Sequence, residues 1–150
     1  MSSSDPLPVL TQFGPPIKTI RNDKGTLQFW SASPILVSAI SGYGSVGFAE
    51  EIGRQYRHHY LISKDIVTVH DWSRMTDYDA EARKVLQMLN KDMQQKQREL
   101  VIHLGRADSL VQKVVRTTAE TITRFRKMPI ELFSEDDAFQ QRVKELIAKY

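Results

Sequence analysis

The fold is decided by Ile66-Val67-Thr68-Val69-His70 and by Thr76-Asp77-Tyr78-Asp79 shortly after it. The first segment is rich in β-branched residues, which favour an extended strand. In the second segment a threonine is followed three residues later by an acid, the pattern of a capping box, so a helix is predicted to begin at Thr76. A strand that leads into a helix is the building unit of an α/β fold.

The same unit is repeated towards the carboxyl terminus. The predicted helix carries apolar residues at helical spacing: Ala82, Val85, Leu86, Leu89 and Met93. Leu100–Leu104 is nearly all apolar, as expected of a central parallel strand that is covered on both faces. Helical spacing resumes after Ser109 and continues to Phe125. A short strand, Ile130–Phe133, then precedes a last helix that begins near Asp136-Asp137.

The residues before Ile66 predict a hairpin and a further helix. Two apolar runs, Leu27–Ser31 and Ile35–Ser41, are separated by only three residues, so we expect them to pair antiparallel. Apolar residues then recur at helical spacing: Ala49, Ile52, Tyr56 and Tyr60. Residues 1–24 contain three serines and four prolines and are predicted to form an irregular N-terminal arm. Residues 25–150 are predicted to form one α/β domain, with a mixed sheet of about five strands and about four helices.

The composition limits the classes of protein that fit. A chain of 150 residues suits a single domain with a sizeable core. It contains no cysteine, no basic and apolar leader, and no apolar segment of the roughly 20 residues that a bilayer crossing requires. These features predict a cytoplasmic protein without a membrane span. A formal charge of +3, with acids interspersed among the bases, favours a solvated surface over a nucleic-acid groove.

The predicted order of elements resembles that of STAS domains, the fold of anti-sigma-factor antagonists. His70-Asp71-Trp72, Met75–Asp79 and Ala82-Arg83 are similar to stretches in uncharacterised bacterial relatives of STAS proteins, a group that also resembles the lipid-carrying CRAL-TRIO domains. The resemblance implies a non-catalytic protein-interaction module in a bacterial regulatory or assembly pathway. The alternative that it implies is a carrier of a small apolar ligand or lipid. Whether the chain forms a homo-oligomer is open.

The resemblance also points to a partner-binding region. In the antagonists, a loop after the third strand carries an Asp-Ser-Ser-Gly-Leu motif whose serine is phosphorylated to switch binding. Here the similar place is Thr76–Ala80, which has two acids and no matching serine, so we hypothesise that the acids mimic a permanently modified state. The predicted partner-binding residues are Asp71, Trp72, Met75, Thr76, Asp77, Tyr78 and Arg83. For Arg83 the sequence favours a surface ion pair with Asp79 over a functional role.

The carboxyl ends of the strands form a predicted ligand rim of His70, His103 and Arg106, because ligands meet open α/β sheets at that edge. His70 and His103 on neighbouring strands raise the alternatives of a shared metal ion, with Asp71 as third ligand, or of an acid/base pair. Histidines at strand ends more often satisfy hydrogen bonds within the protein. We therefore predict no catalytic residue, no metal and no cofactor, and an enzyme ranks third.

Gly42, Gly44 and Gly47 match the bare pattern of a phosphate-binding loop. The strand before them is predicted to belong to an antiparallel hairpin, whereas a dinucleotide site needs a parallel unit. The sequence therefore favours a glycine-rich turn at this place over a nucleotide site.

Overall fold

The computed structural model describes residues 5–93, 95–105, 113 and 130–150. Six strands form one sheet in the order of the chain. The elements are a 3-10 helix Pro8–Phe13, β1 Lys18–Arg21, β2 Gly25–Ala32, β3 Ile35–Gly44, α1 Val46–Ile62, β4 Ile66–Tyr78, α2 Ala80–Asp92, β5 Gln97–His103, β6 Ile130–Phe133 and α3 Asp136–Lys149. The helix predicted between Ser109 and Phe125, and Arg106 of the predicted rim, lie outside the described residues.

The sheet is mixed, as predicted. β1, β2 and β3 pair antiparallel, whereas β3, β4, β5 and β6 pair parallel. The predicted hairpin between β2 and β3 is confirmed, with Ala32 paired to Ile35 around the Ser33-Pro34 turn. Among the described residues, the helices lack the length and apolar content for a bilayer crossing.

The sheet has six strands and not about five, because residues 18–21 add an edge strand inside the segment that was predicted to be irregular. Ile20 is the single apolar residue of β1, so no hydrophobic alternation announces the strand. Its position is fixed by backbone pairing with β2 and by Lys18, whose Nζ lies 2.5 Å from Oε1 of the buried Glu51 in α1. A buried carboxylate needs such a partner, and Arg54 supplies a second one.

The predicted start of α2 at Thr76 is wrong. β4 continues for 13 residues to Tyr78, and α2 begins at Ala80 with Asp79 as its N-cap. The strand continues because β3 runs on to Gly44 and supplies a parallel partner for every residue up to that point, apart from two register shifts. Thr76 is consequently an exposed strand residue and caps no helix.

Two hydrophobic layers enclose the sheet. One face packs against α1 and α2 through side chains that include Phe29, Leu36, Ile52, Tyr56, Leu89 and Ile102. The other face packs against the 3-10 helix and α3 through side chains that include Leu10, Trp30, Val37, Val69, Phe139 and Val143. The inner face predicted for the first helix is confirmed, since Ala49, Ile52 and Tyr56 are buried.

The glycines of the segment 42–47 lie at the end of β3 and in the first turn of α1, and they differ in what the backbone requires of them. Gly42 has φ +81°, and a Cβ atom on it would lie 2.4 Å from the carbonyl oxygen of Lys24. A Cβ atom on Gly47, in the first turn of α1, would meet nothing closer than Ser45 Oγ at 3.8 Å. Ser45 caps the helix by accepting a hydrogen bond from the Phe48 N–H at 3.3 Å. One glycine is therefore required by the backbone and another is not.

Gly42→Ala is expected to lower the free energy of unfolding by about 1–3 kcal/mol, because alanine is strained at positive φ and would collide with the neighbouring backbone. Gly47→Ala is the matched control and should leave stability unchanged or raise it by up to about 1 kcal/mol. Urea unfolding followed by circular dichroism measures both. Equal losses in the two variants would contradict the conclusion that the backbone requires glycine at position 42 but not at position 47.

Candidate functional site

Polar side chains collect where the parallel pairing of β4, β5 and β6 ends. Asp71 and His103 are register partners on β4 and β5, so their side chains share one face of the sheet. Asp136, at the start of α3, completes this group, because its carboxylate contacts His103. The carboxyl ends of parallel strands are the edge at which α/β proteins meet ligands and partners. We therefore take this edge as the candidate site.

Two irregularities in β4 distribute the predicted partner-binding residues over the two faces of the sheet. The register with β3 shifts between Ala39 and Ser41 and again between Gly42 and Tyr43. Trp72 shares the face of His70, as strand alternation requires, and is only 9% exposed, whereas Met75 reaches the same core beneath α1 and α2 because of the first shift. Bulges commonly redirect side chains in this way next to functional sites.

Of the predicted partner-binding residues, Trp72 is buried and is therefore not accessible to a partner, while Met75 and Tyr78 are half-buried. Thr76 and Asp77 are the exposed pair at the end of β4. The Asp77 carboxylate accepts a hydrogen bond from the Tyr78 N–H at 2.8 Å.

His70 is a buried core residue. Its Nδ1 lies 2.6 Å from Ser38 Oγ, and its ring is stacked between Tyr56 and Trp72 with centroid distances of 5.6 and 4.5 Å. Burial lowers the pKa of His70 to about 3, because the charged imidazolium would be removed from water. The imidazole is therefore neutral near pH 7 and is inaccessible to a ligand.

His103 is buried as well, and both of its ring nitrogens have partners. Nε2 lies 2.7 Å from Asp136 Oδ1, and in the tautomer that donates there, Nδ1 accepts from the Gly105 N–H at 3.3 Å. The ring is stacked on Phe139 of α3 at 4.8 Å. The contacts fix the start of α3 against the end of β5. With no exposed surface, the imidazole cannot take a proton from a substrate.

The two histidines lie on opposite faces of the sheet. His70 pairs in register with Ile102 and packs under α1, whereas His103 is the next residue of β5 and packs under α3. Successive residues of a strand point to opposite faces. This geometry excludes one metal ion, or one acid/base pair, shared by the two imidazoles.

Ser73 and Arg74 form the accessible part of this edge, and the buried Asp71 lies beneath them. The buried Asp71 carboxylate accepts hydrogen bonds from Ser73 N–H at 3.1 Å and Ser73 Oγ at 2.6 Å, and Arg74 Nη1 lies 3.5 Å away. An open cavity of about 570 Å³ adjoins Ser73 and Arg74, and the described residues that line it are Ser73, Arg74, Gly105, Ser134, Glu135, Asp136 and Asp137. Such a polar, open depression suits the surface of a protein better than an apolar small molecule.

Asp79 joins the starts of α1 and α2. Its carboxylate accepts hydrogen bonds from the Tyr43 hydroxyl and, at 3.1 Å, from the Val46 N–H in the first turn of α1. The Tyr43 hydrogen bond lowers the pKa of Asp79, with the Val46 N–H acting in the same direction, and it raises the pKa of Tyr43. The predicted surface pair between Asp79 and Arg83 is wrong, because the carboxylate is engaged with α1.

Arg83 itself is half-buried in α2, and its Nε is buried without a hydrogen-bond partner within the described part of the chain. The sequence pattern does not mark Tyr43, Arg74 or Asp136 as site residues. Tyr43 stood inside the glycine pattern, where only the glycines were considered, and Asp136 was considered only as a residue of a helix start.

The arrangement of sheet and helices matches two solved structures. An uncharacterised protein of Shewanella loihica with a SpoIIAA-like fold matches with a TM-score of 0.55 and 10% identity, over 83% of this chain and 98% of that chain. An anti-sigma factor antagonist of Mycobacterium paratuberculosis matches with a TM-score of 0.53 and 14% identity, over 83% of this chain and 97% of that chain. The chain has a STAS-like fold. No protein-family model and no curated protein sequence matches it.

The neutral His70 should make this STAS-like fold sensitive to acid. The pKa of His70 is lower in the folded chain than the ordinary 6.5 of the unfolded chain, so its contribution to stability is complete above that value and is lost as the pH falls towards 3. We expect the free energy of unfolding to fall by about 2 kcal/mol between about pH 7 and pH 5 from this residue.

Urea unfolding across this pH range measures the slope. His70→Gln should be less stable but should show a flatter pH dependence, whereas His58→Gln, an exposed control on α1, should keep the slope of the original chain. An unchanged slope in His70→Gln would show that other groups cause the acid sensitivity.

The two acids that flank Tyr78 are predicted to contribute differently to the stability of the fold. Asp79→Asn should lower the melting temperature, because the amide holds the Val46 N–H and the Tyr43 hydroxyl less well than the carboxylate does. Asp77→Asn, at the exposed end of β4, should leave it nearly unchanged. Thermal unfolding of both variants side by side is the test, and equal melting temperatures would refute the structural role of Asp79.

Proposed function

We propose that the chain is a non-catalytic protein-interaction module of a bacterial regulatory or assembly pathway, which docks its partner at the end of β4 and the start of α2. The observation that carries this proposal is the exposure of Thr76 and Asp77 directly before α2, while the histidines of the same edge are buried. The likeness of the fold to an anti-sigma factor antagonist supports the class of function.

The negative charge at the end of β4 points to one residue, Asp77, as the group that a partner recognises. We infer that the segment Thr76–Ala80 corresponds to the place where the antagonists carry their phosphorylated serine. Asp79 is occupied by Tyr43 and Val46, so the acid available to a partner there is Asp77. We infer that Asp77 supplies a permanent negative charge and that the partner presents a cationic side chain to it.

The burial and hydrogen bonding of the two histidines that could resemble catalytic residues support a non-catalytic function. His70 is neutral and enclosed by aromatic rings, and His103 uses both ring nitrogens within the protein. A general base must reach the proton that it removes, and neither imidazole is exposed enough to do so.

The alternative of a small-ligand or lipid carrier stays a prediction. The cavity between β2, β3 and β4, lined by residues that include Gln28, Ile40 and Asp71, has a volume of about 10 Å³. That is room for about one water molecule. A carrier needs an apolar cavity of several hundred Å³, so this part of the sheet does not favour it.

Asp77→Lys tests the docking proposal. Charge reversal at an exposed interface position should weaken the partner at least about tenfold, through lost attraction and new repulsion. The variant and the original chain are used as bait in the native host, and recovered proteins are quantified by mass spectrometry. Lys144→Glu, a charge reversal on the exposed side of α3, is the control and should keep its partners.

Identical partner lists for Asp77→Lys and the original chain would contradict docking at this surface. Trp72→Ala is unsuitable for this experiment, because the indole is buried against His70 and its removal would disturb the core.

A further inference from the structure

The end of α1 carries an exposed aliphatic pair. Leu61 is 79% exposed and Ile62 is 69% exposed, and they are the last two residues of the helix. Tyr60, just before them, is half-buried, and the Lys96 ammonium lies 4.4 Å from the centre of its ring. Both side chains project from the end of the helix, and neither lines either of the two cavities described above. We call Tyr60, Leu61, Ile62, Lys64 and Lys96 the aliphatic-basic patch.

The charges around this patch are mainly positive. Asp65, next to Lys64, and Asp92, at the end of α2, are each paired with an arginine: Asp65 with Arg98 at 2.7 Å and Asp92 with Arg57 at 3.5 Å. Lys64, directly after α1, and Lys91, at the end of α2, are exposed and have no ion-pair partner within the described ranges. Cations in excess therefore surround the aliphatic pair.

We propose that the aliphatic-basic patch binds the surface of an anionic lipid bilayer, with Leu61 and Ile62 inserted at the level of the head groups. Aliphatic side chains flanked by lysines are the composition of interfacial membrane anchors, and a tyrosine beside them suits the same depth. Lysines near the surface are attracted by anionic lipids.

The projecting shape of the patch favours a bilayer over an apolar peptide, and its charge favours a bilayer over a second copy of this chain. A projecting helix end can enter a soft interface, whereas an apolar peptide needs a groove to receive it. A second copy of this chain would bring the same cations against themselves around a two-fold axis, which is repulsive. The docking surface at Asp77 lies at the opposite end of β4, so a membrane-bound chain would keep that surface accessible.

Vesicle co-sedimentation of the full chain tests the proposal. We expect the protein to sediment with phosphatidylcholine vesicles that contain phosphatidylglycerol, to stay in solution with phosphatidylcholine alone, and to be released by added salt. The double variant Leu61→Ser with Ile62→Ser should bind the anionic vesicles at least about tenfold less, because the inserted apolar area is lost. Lys64→Glu should also bind less.

Two matched controls change similar residues elsewhere. Ile17→Ser removes an aliphatic side chain that is 57% exposed before β1, and Lys84→Glu reverses an exposed charge in the second turn of α2. Both should bind like the original chain. All the substituted side chains are exposed, and circular dichroism verifies that each variant is folded.

Three outcomes would overturn the proposal: no sedimentation of the original chain with anionic vesicles, equal binding by the Leu61 and Ile62 double variant, or equal loss in the two controls. A double variant that differs from the original chain only in oligomeric state, measured by analytical ultracentrifugation, would assign the patch to a second copy and would also overturn it.

Discussion

The parallel pairing of β3 with β4 organises the molecule. β3 is antiparallel to its partner on one side and parallel to its partner on the other, so the hairpin and the strand-helix units meet along it. Because both strands run well beyond the last paired residue of β5, they bring the starts of α1 and α2 side by side. Asp79 can reach the first turn of α1 only from this position.

The pairing of β3 with β4 also explains why His70 and Asp71, which could be taken for catalytic residues, are buried in the core. His70 stands opposite Ser38 in the β3–β4 register and hydrogen-bonds to it. Asp71 turns to the other face, where Ser73 satisfies its carboxylate. A buried polar group is costly unless it is hydrogen-bonded, and each of these groups finds a partner within a few residues or on the next strand. His70 and Asp71 therefore stabilise the fold.

The features that could be predicted from the sequence are those that leave a periodic pattern of buried apolar residues. The apolar runs of β2 to β6 and the helical spacing around Ile52 and Phe139 identified the α/β class, because periodicity records which face of an element is covered. β1 carries only one apolar side chain and was missed. The start of α2 was misplaced because Thr76 fits a local capping pattern, whereas the partner that keeps it in a strand, the end of β3, is distant in sequence.

The candidate site was harder to predict for a related reason. A strand that alternates regularly would place Asp71, Ser73 and Met75 on one face, and the shifts in register that break this rule depend on how two strands fit together. The direction in which the Asp79 carboxylate points depends likewise on Tyr43, which is remote in sequence. The types of residue at the edge were therefore predictable, whereas their exposure and partners were not.

The chain contains two tryptophans, and the sheet separates them. Trp30 is enclosed by the layer of the 3-10 helix and α3, where its indole N–H donates to the Gly14 carbonyl, while Trp72 stacks on His70 beneath α1. Each indole is thus a built-in optical reporter for one half of the interior. With either one replaced by phenylalanine, the remaining fluorescence would tell whether the two layers loosen together or one before the other.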